Sequence, residues 1–133
     1  VHAGLIADGI HVHPATMRNA LAAKGEGIFL VSDAMATAGS DIAGFTLNGR
    51  EVYRAEGRLT LADGTLAGAH LALGRAVRTL THAVGEPLET ALARAISGPL
   101  ALLRDDMGLG RIESAGQPLL LFDPESGVVD LLA

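Results

Sequence analysis

Two features of this sequence could act chemically on a substrate: a carboxylate at the end of a strand and a pair of closely spaced histidines. Asp33 follows the apolar run at residues 28–31 after a single serine. A carboxylate in that place can take a proton from water and return it to a leaving group. It could equally close the following loop by bonding its own backbone, as aspartates in turns commonly do. Both roles remain open from the residues alone.

His11 and His13 are only two residues apart. On a strand, two such rings would share a face and could bind one metal ion. A catalytic zinc site uses about three protein ligands, however, and the sequence offers no second cluster of suitable spacing. A hydrogen bond in a loop or at a helix N-terminus and direct contact with substrate are the other interpretations. His70 and His82 fall in a helical pattern, where packed or solvated rings are expected.

The glycine-containing segment 64–69 precedes that helical pattern. Two glycines at such a place could leave backbone N–H groups at the positive end of a helix, where they would hold a phosphate or a polar substrate. The segment matches neither of the common phosphate-loop patterns, so it does not by itself specify a phosphate site.

The elements that must position these groups are predicted to begin with a strand, a helix and a second strand. Residues 1–6 favour a strand, and residues 14–23 favour a helix because proline is well suited to the first helical position. The run ending at Asp33 is typical of a strand covered on both faces. This βαβ order predicts a parallel pair with a right-handed crossover, and it puts Asp33 at the carboxyl end, where such folds collect their chemistry.

After Asp33 the pattern changes to antiparallel strands. Asn48-Gly49 predicts a hairpin turn between residues 45 and 53, because these residue types adopt the positive φ angles it requires. Asp63-Gly64 predicts a further turn, so residues 45–66 are expected to form an antiparallel insertion. The later elements are expected to be helices over residues 69–84, 87–96 and 99–103 and strands over residues 119–122 and 128–132.

The composition limits the class of protein. With 133 residues, 49% of them hydrophobic, the chain has the size and core of one domain. Its net charge of −5 offers no basic surface for nucleic acid or an anionic membrane, and no signal peptide or membrane-length apolar run is visible. The lack of cysteine excludes disulfides and thiolate sites and is compatible with the cytoplasm. Because the chain opens at Val1 without an initiator methionine, we expect a piece of a longer protein.

Three motifs taken together point to a known family. They are Leu-Ile-Ala-Asp-Gly-Ile-His-Val-His-Pro at residues 5–14, Leu-Val-Ser-Asp-Ala-Met-Ala at residues 30–36 and Gly-Thr-Leu-Ala-Gly-Ala at residues 64–69. In wording, order and separation they resemble the C-terminal half of N-acetylglucosamine-6-phosphate deacetylase, a family of the amidohydrolase superfamily. Residues 110–118 look like the family's glycine-rich approach to its last strands but lack its usual Ala-Asp-Leu.

The resemblance implies an α/β fold, namely the C-terminal part of a TIM-barrel-like, metal-dependent amidohydrolase. Residues 1–107 would form a partial (β/α) barrel that includes the β-hairpin insertion at 45–66. Residues 108–133 would supply the C-terminal strands of a small β-domain. The complete enzyme is expected to be a cytoplasmic homodimer.

The resemblance also implies a reaction, the hydrolysis of N-acetylglucosamine 6-phosphate to glucosamine 6-phosphate and acetate in amino-sugar catabolism. Asp33 would be the general base and acid acting on metal-bound water, and His11 would contact the substrate. Leu66, Ala67 and Gly68 would line the substrate loop.

A divalent metal ion, zinc or similar, is implied for the complete enzyme. Its ligands in the family, a glutamate and two histidines, lie upstream of the region that matches Val1, so no metal ligand is assigned in this chain. His13 receives no role from the family. The chain alone is therefore expected to be inactive. The alternatives are another amidohydrolase, or a non-catalytic α/β fragment that serves only for folding or assembly.

Overall fold

The computed structural model describes residues 1–103 and 118–132 of the chain. The fold is mixed α/β, as predicted, and the arrangement of its strands in a complete barrel stays a prediction. The strands are β1 (Ala3–Leu5), β2 (Ile28–Leu30), β3 (Gly44–Leu47), β4 (Arg50–Ala55), β5 (Arg58–Leu61), β6 (Leu119–Phe122) and β7 (Val129–Leu132). The α-helices are α1 (Pro14–Lys24), α2 (Leu73–Thr79), α3 (Leu88–Ala95) and α4 (Ser97–Leu100).

The strands β1 and β2 lie side by side and run parallel. Ala3 is opposite Ile28 and Leu5 is opposite Leu30, with α1 as the crossover between the two strands. Leu5 and Leu30 are both buried in the core under the helices. The parallel pair predicted from the βαβ pattern is therefore confirmed.

Local signals set both ends of α1. Pro14 occupies the start of the helix, and the His13 ring caps it by accepting a hydrogen bond from the Ala15 N–H. Gly25, with a φ of 56°, ends the helix in a backbone conformation that other residues rarely adopt. Between these ends, Met17 is fully buried and anchors α1 to the core.

A third extended segment continues the parallel arrangement beyond β2. Ala69 pairs with Ala34 in a parallel bridge, and the Ala69 N–H donates to the Asp33 carbonyl oxygen at 2.8 Å. The predicted helix start at residue 69 is therefore wrong, because this backbone is extended and already bonded; α2 begins at Leu73. His70 consequently lies outside the helix.

The strands β3, β4 and β5 form an antiparallel sheet in sequence order. Asn48 and Gly49 form the first turn with φ angles of 51° and 77°, the positive values expected of these residue types. Val52 and Leu59 are buried on one face of the sheet. That this sheet interrupts a barrel stays a prediction.

The helices after this sheet partly depart from the predicted bounds. The helix α2 continues as a π-helix over Leu80–Val84 and stops at Gly85. In place of the helix predicted at 99–103, the structure has α4, which begins two residues earlier at Ser97 and already ends at Leu100. The predicted domain boundary between residues 107 and 108 and all but the last residue of the 110–118 motif lie outside the described residues. Within the described part of the chain, no helix is long and apolar enough to cross a membrane.

The strands β6 and β7 form an antiparallel hairpin whose turn rests on α2. Gly74 and Gly127 meet there so closely that a Cβ atom at Gly74 would overlap the Gly127 carbonyl oxygen. Arg78 and His82 add hydrogen bonds to the carbonyl oxygens of the same turn. Glycine at position 74 is therefore required for this contact.

We expect Gly74→Ala to lower the free energy of unfolding by about 1–3 kcal/mol, because the obstructing oxygen belongs to the backbone and cannot rotate away. Equilibrium denaturation measures this change. Thr90→Ala, at an exposed position of α3, is the control and should stay within about 0.5 kcal/mol of the parent. If Gly74→Ala were as stable as the parent, the hairpin would not pack on α2 in solution.

Candidate functional site

Asp33 lies just beyond the carboxyl end of β2 with its side chain exposed. Its φ of 49° is in the left-handed region, which aspartate and asparagine tolerate better than most residues. The next amide of the loop, that of Ala34, bonds to the Ser32 hydroxyl rather than to Asp33. The Asp33 carboxylate makes no hydrogen bond to any described residue, so the loop-closing role considered from the sequence is not observed.

Asp8 and His11 form a hydrogen-bonded pair at the exit of β1. The His11 Nδ1 atom lies 2.6 Å from Asp8 Oδ2. The other carboxylate oxygen of Asp8 accepts the N–H groups of Ile10 and His11, both at 2.9 Å. The sequence indicated only a turn at Asp8-Gly9; a carboxylate three residues before a histidine, just after a strand, is the signal that would have found this pair.

His11 also reaches the predicted substrate loop. Its Nε2 atom lies 3.0 Å from the Ala67 carbonyl oxygen, 56 residues along the chain. The neighbouring Gly68 passes so close that a Cβ there would lie 2.6 Å from the Met35 side chain and 3.1 Å from the Asp33 carbonyl oxygen. The structure thus brings His11, Ala67 and Gly68 to the loop that carries Asp33.

Leu66 belongs to the same segment and is 40% exposed. It pairs with Thr60 in an antiparallel bridge, which holds the segment against the edge of β5. Its side chain is therefore available at the surface beside the site. The role of Leu66 in a substrate loop stays a prediction.

The pair of Asp8 and His11 shifts the pKa of both partners. Burial alone would lower the pKa of His11, but the hydrogen bonds to Asp8 and Ala67 and the charges of Asp8 and Asp33 outweigh it and raise that pKa above 6.5. Burial alone would raise the pKa of Asp8, but the His11 side chain and the Ile10 and His11 amides lower it below 3.8. Each partner thus favours the charged form of the other.

These opposite shifts set the pH range over which the pair stabilises the fold. The contribution of Asp8 is present above its ordinary pKa of 3.8 and is lost as the pH falls through its lowered pKa. The contribution of His11 is full below its ordinary pKa of 6.5 and is lost as the pH rises through its raised pKa. The stabilisation is therefore greatest in the mildly acidic range.

His11 and His13 do not form the metal pair considered from the sequence. Residues 8–12 form a bend rather than a strand, and His13 caps α1 through its Nδ1 atom. Both ring nitrogens of His11 already have partners within the chain. Among residues 1–103 and 118–132, no group of three His, Asp or Glu side chains could hold a metal ion. The described residues thus do not fit a metal centre.

The segment 64–69 does not present a row of vacant amides. It is followed by extended backbone rather than directly by a helix. Its bonded N–H groups are those of Gly64 to the Leu61 carbonyl, Thr65 to the Asp63 carboxylate, Ala67 to the Leu59 carbonyl and Ala69 to the Asp33 carbonyl. The phosphate site considered at a helix N-terminus is therefore wrong, because these amides hold the segment against β5 and Asp33.

His70 and His82 take structural positions. His70 Nδ1 lies 3.2 Å from the hydroxyl of Thr37, which is fully buried. Burial, assisted by the charges of Arg54 and Arg75, lowers the pKa of His70, so its ring is neutral at pH 7. His82 is exposed and bonds to the turn of the terminal hairpin. These positions agree with the packed and solvated rings expected.

The chain is similar in sequence to known sugar-phosphate deacetylases. It is 38% identical over 109 residues to N-acetylgalactosamine-6-phosphate deacetylase of Escherichia coli, a match covering 82% of this chain and 29% of that protein. It is 30% identical over 132 residues to N-acetylglucosamine-6-phosphate deacetylase of Haemophilus influenzae, covering 97% of this chain and 35% of that protein. A second Escherichia coli protein, described as a putative N-acetylgalactosamine-6-phosphate deacetylase, is 38% identical over 109 residues, which cover 82% of this chain and 65% of that protein. The chain thus spans less than two thirds of these relatives, and no protein-family model matches it.

Solved structures agree with the sequence matches. The crystal structure of N-acetylglucosamine-6-phosphate deacetylase from Pasteurella multocida superposes with a TM-score of 0.80 and 34% identity, covering 85% of this chain and 30% of that one. The Mycobacterium smegmatis enzyme, solved as a variant in complex with N-acetyl-D-glucosamine-6-phosphate, gives a TM-score of 0.69 and 27% identity over 76% of this chain and 28% of that one. The resemblance carried by the three motifs is confirmed, because relatives and solved structures that match most of this chain are N-acetylglucosamine-6-phosphate deacetylases.

Proposed function

We propose that the protein carrying this chain hydrolyses the acetamide group of N-acetylglucosamine 6-phosphate, releasing acetate and glucosamine 6-phosphate in amino-sugar catabolism. The observation that carries this proposal is the exposed Asp33 carboxylate at the carboxyl end of β2, next to His11 and the 66–68 segment. Strand ends of this kind hold the reacting groups of barrel enzymes. The names of the relatives supply the substrate class.

In this proposal Asp33 transfers the proton of the reaction. Its carboxylate takes a proton from the attacking water, whose oxygen bonds to the acetyl carbon. The carbon–nitrogen bond then breaks, and Asp33 returns the proton to the departing amine of the sugar. The exposed side chain, without a partner among the described residues, leaves both carboxylate oxygens accessible for these steps.

The proposed substrate contacts lie around Asp33. Leu66, Ala67 and Gly68 would line the sugar, with Gly68 allowing the close approach of the loop. His11 was predicted to contact the substrate directly. Since both of its ring nitrogens have protein partners, a direct hydrogen bond to the sugar would require the contact with Ala67 to open.

The complete enzyme is proposed to use a divalent metal ion, zinc or similar, as deacetylases of the amidohydrolase family generally do. The described residues of this chain offer no group that could hold it. We therefore propose that the chain alone does not turn over substrate. A homodimer and a cytoplasmic location are further parts of the proposal for the complete enzyme.

N-Acetylgalactosamine 6-phosphate is the second candidate substrate. It differs from the glucosamine compound in the orientation of one hydroxyl group. The relative named N-acetylgalactosamine-6-phosphate deacetylase is 38% identical to this chain, whereas the N-acetylglucosamine-6-phosphate deacetylase from Haemophilus influenzae is 30% identical. Both sugars present the same acetamide to Asp33, so the proposed chemistry is unchanged.

The test is acetate release by the protein that carries this chain, measured with each of the two sugar phosphates and with unphosphorylated N-acetylglucosamine. We expect kcat/KM of at least about 10⁴ M⁻¹ s⁻¹ for one phosphorylated sugar, the lower end of ordinary enzymes. The 133-residue chain alone, assayed in parallel, should release none. Metal analysis of the same active sample tests the metal requirement.

The two alternative functions give different results in this assay. An amidohydrolase of other specificity would leave all three sugars intact but would hydrolyse other amides or cyclic amides. A non-catalytic assembly fragment would release nothing from any amide and would show self-association in analytical ultracentrifugation. Either result would overturn the deacetylase proposal.

A further inference from the structure

His11 lies between two hydrogen-bond acceptors. The Ala67 carbonyl oxygen, 3.0 Å from Nε2, can only accept, so Nε2 must carry a hydrogen. The Asp8 carboxylate, 2.6 Å from Nδ1, already receives two backbone N–H groups on its other oxygen, which favours its ionised form. Nδ1 must therefore carry a hydrogen as well. A ring that donates from both nitrogens is a cationic imidazolium.

The two bonds of this ring join distant parts of the chain. Asp8 belongs to the turn that follows β1, whereas Ala67 belongs to the segment that follows β5. Two residues beyond Ala67, the Ala69 N–H bonds to the Asp33 carbonyl. The His11 ring thus holds the loop next to Asp33 onto the end of the first strand.

Because the His11 ring is largely buried, its positive charge depends on the neighbouring Asp8 carboxylate for stabilisation. The side chains of His11 and Asp8 are 19% and 8% exposed. Among the described residues, the charged groups that act on the ring are the carboxylates of Asp8 and Asp33. Of these, only Asp8 also bonds to it. A neutral ring has a single hydrogen and could keep only one of its two bonds as a donor.

We propose that Asp8 is a positioning residue, whose charge keeps the His11 ring donating to both sides and thereby holds the Ala67 segment beside Asp33. Its effect on catalysis rests on the proposed deacetylase function, whereas its effect on the ring does not. Asp8 acts through His11 and does not itself touch the substrate.

The test is Asp8→Asn in the protein that carries this chain. Asparagine can still accept the Ile10 and His11 amides through its side-chain oxygen, so the turn is kept while the charge is removed. A purely structural role of Asp8 in the turn would therefore survive the change. The positioning role would be weakened, because the neutral amide no longer stabilises a cation on the ring. A neutral ring could accept from the asparagine NH2 at Nδ1 and still donate from Nε2 to Ala67, but without the charge that strengthens this bond.

The first measurement is ¹⁵N NMR of the histidine rings as a function of pH. In the parent protein at pH 7, both nitrogens of His11 should be protonated. In Asp8→Asn the titration midpoint of His11 should move to lower pH, and the amide signals of Ala67 and Gly68 should change with it. A singly protonated ring in the parent, or an unmoved midpoint in the variant, would overturn the proposal. If the variant does not fold, the NMR measurement on the parent protein is by itself sufficient to test the proposal.

The second measurement is deacetylation of the preferred sugar phosphate. Asp8→Asn should raise KM roughly tenfold or more, the effect of weakening one charge-assisted hydrogen bond, with a much smaller fall in kcat. If KM and kcat of Asp8→Asn equalled those of the parent, the proposed effect of Asp8 on catalysis would be overturned. If the parent protein does not deacetylate either sugar, the deacetylase function fails while the NMR result still decides the role of Asp8.

Asp123→Asn is the matched control. Asp123 also accepts a backbone N–H two residues ahead in a turn, but it lies in the terminal hairpin and bonds to Ser126 rather than to a histidine. This variant should leave both the His11 titration and the kinetics unchanged. If the His11 titration midpoint or the kinetic constants changed in this variant, the effects of Asp8→Asn would not be specific to the Asp8 charge, and the proposal would be overturned.

Discussion

Asp33→Asn is expected to lower kcat for deacetylation by at least about 10²-fold in the complete protein, the usual contribution of a positioned acid or base. Asparagine keeps the shape of the side chain but cannot accept the proton in question. It also tolerates the left-handed backbone at this position, where φ is 49°, so the fold should be retained. Steady-state kinetics on the preferred sugar phosphate, with metal content determined on the same sample, measure the effect.

The control for this variant is Asp41→Asn, which removes an exposed carboxylate from the same long loop after β2. Its kcat should stay near that of the parent. Asp33→Asn should leave KM and metal content close to normal, because its contribution is made in the transition state. A kcat for Asp33→Asn within a few-fold of the parent would exclude Asp33 as the proton carrier.

Arg94→Ala is expected to have the largest effect on stability, about 3–5 kcal/mol of the free energy of unfolding. Arg94 on α3 makes a two-pronged ion pair with Glu86, and both side chains are about nine-tenths buried. The same guanidinium donates to the carbonyl oxygens of Gly25 and Ile28 at the start of β2. Removal would leave a buried carboxylate and two carbonyls without their donor.

Equilibrium denaturation of Arg94→Ala and Arg94→Lys tests this expectation. Lysine keeps the charge but lacks the planar fork of donors, so it should recover only part of the loss. Arg58→Ala removes an exposed arginine from β5 and should change the stability by less than about 0.5 kcal/mol. An Arg94→Ala protein that unfolds at the same denaturant concentration as the parent would show that this pair contributes no net stability.

Arg94 also shows where sequence interpretation stops. In the sequence it is one charged residue in a helical pattern, and charged residues are usually on the solvent side of a helix. Its partners are 8 to 69 residues away, so no spacing within the helix indicates them. The buried ion pair follows from how α3 packs against the start of β2.

The sequence alone determined the elements whose signals are local. Proline at the start of α1, glycine after its end, the apolar run before Asp33 and the Asn48-Gly49 turn each restrict the backbone within a few residues. The parallel β1–β2 pair follows from their order. The three motifs likewise determined the resemblance to sugar-phosphate deacetylases, because residue types and separations are read directly along the chain.

Only the tertiary structure decided which groups meet at the site. The extended backbone at Ala69 replaced the predicted helix start because its N–H is bonded to Asp33, 36 positions earlier in the chain. The predicted histidine pair is separated because His13 caps α1 while His11 turns to Asp8 and Ala67. A hydrogen bond across 56 residues leaves no periodic trace in the sequence, since its partners become neighbours only after the strands and helices have packed.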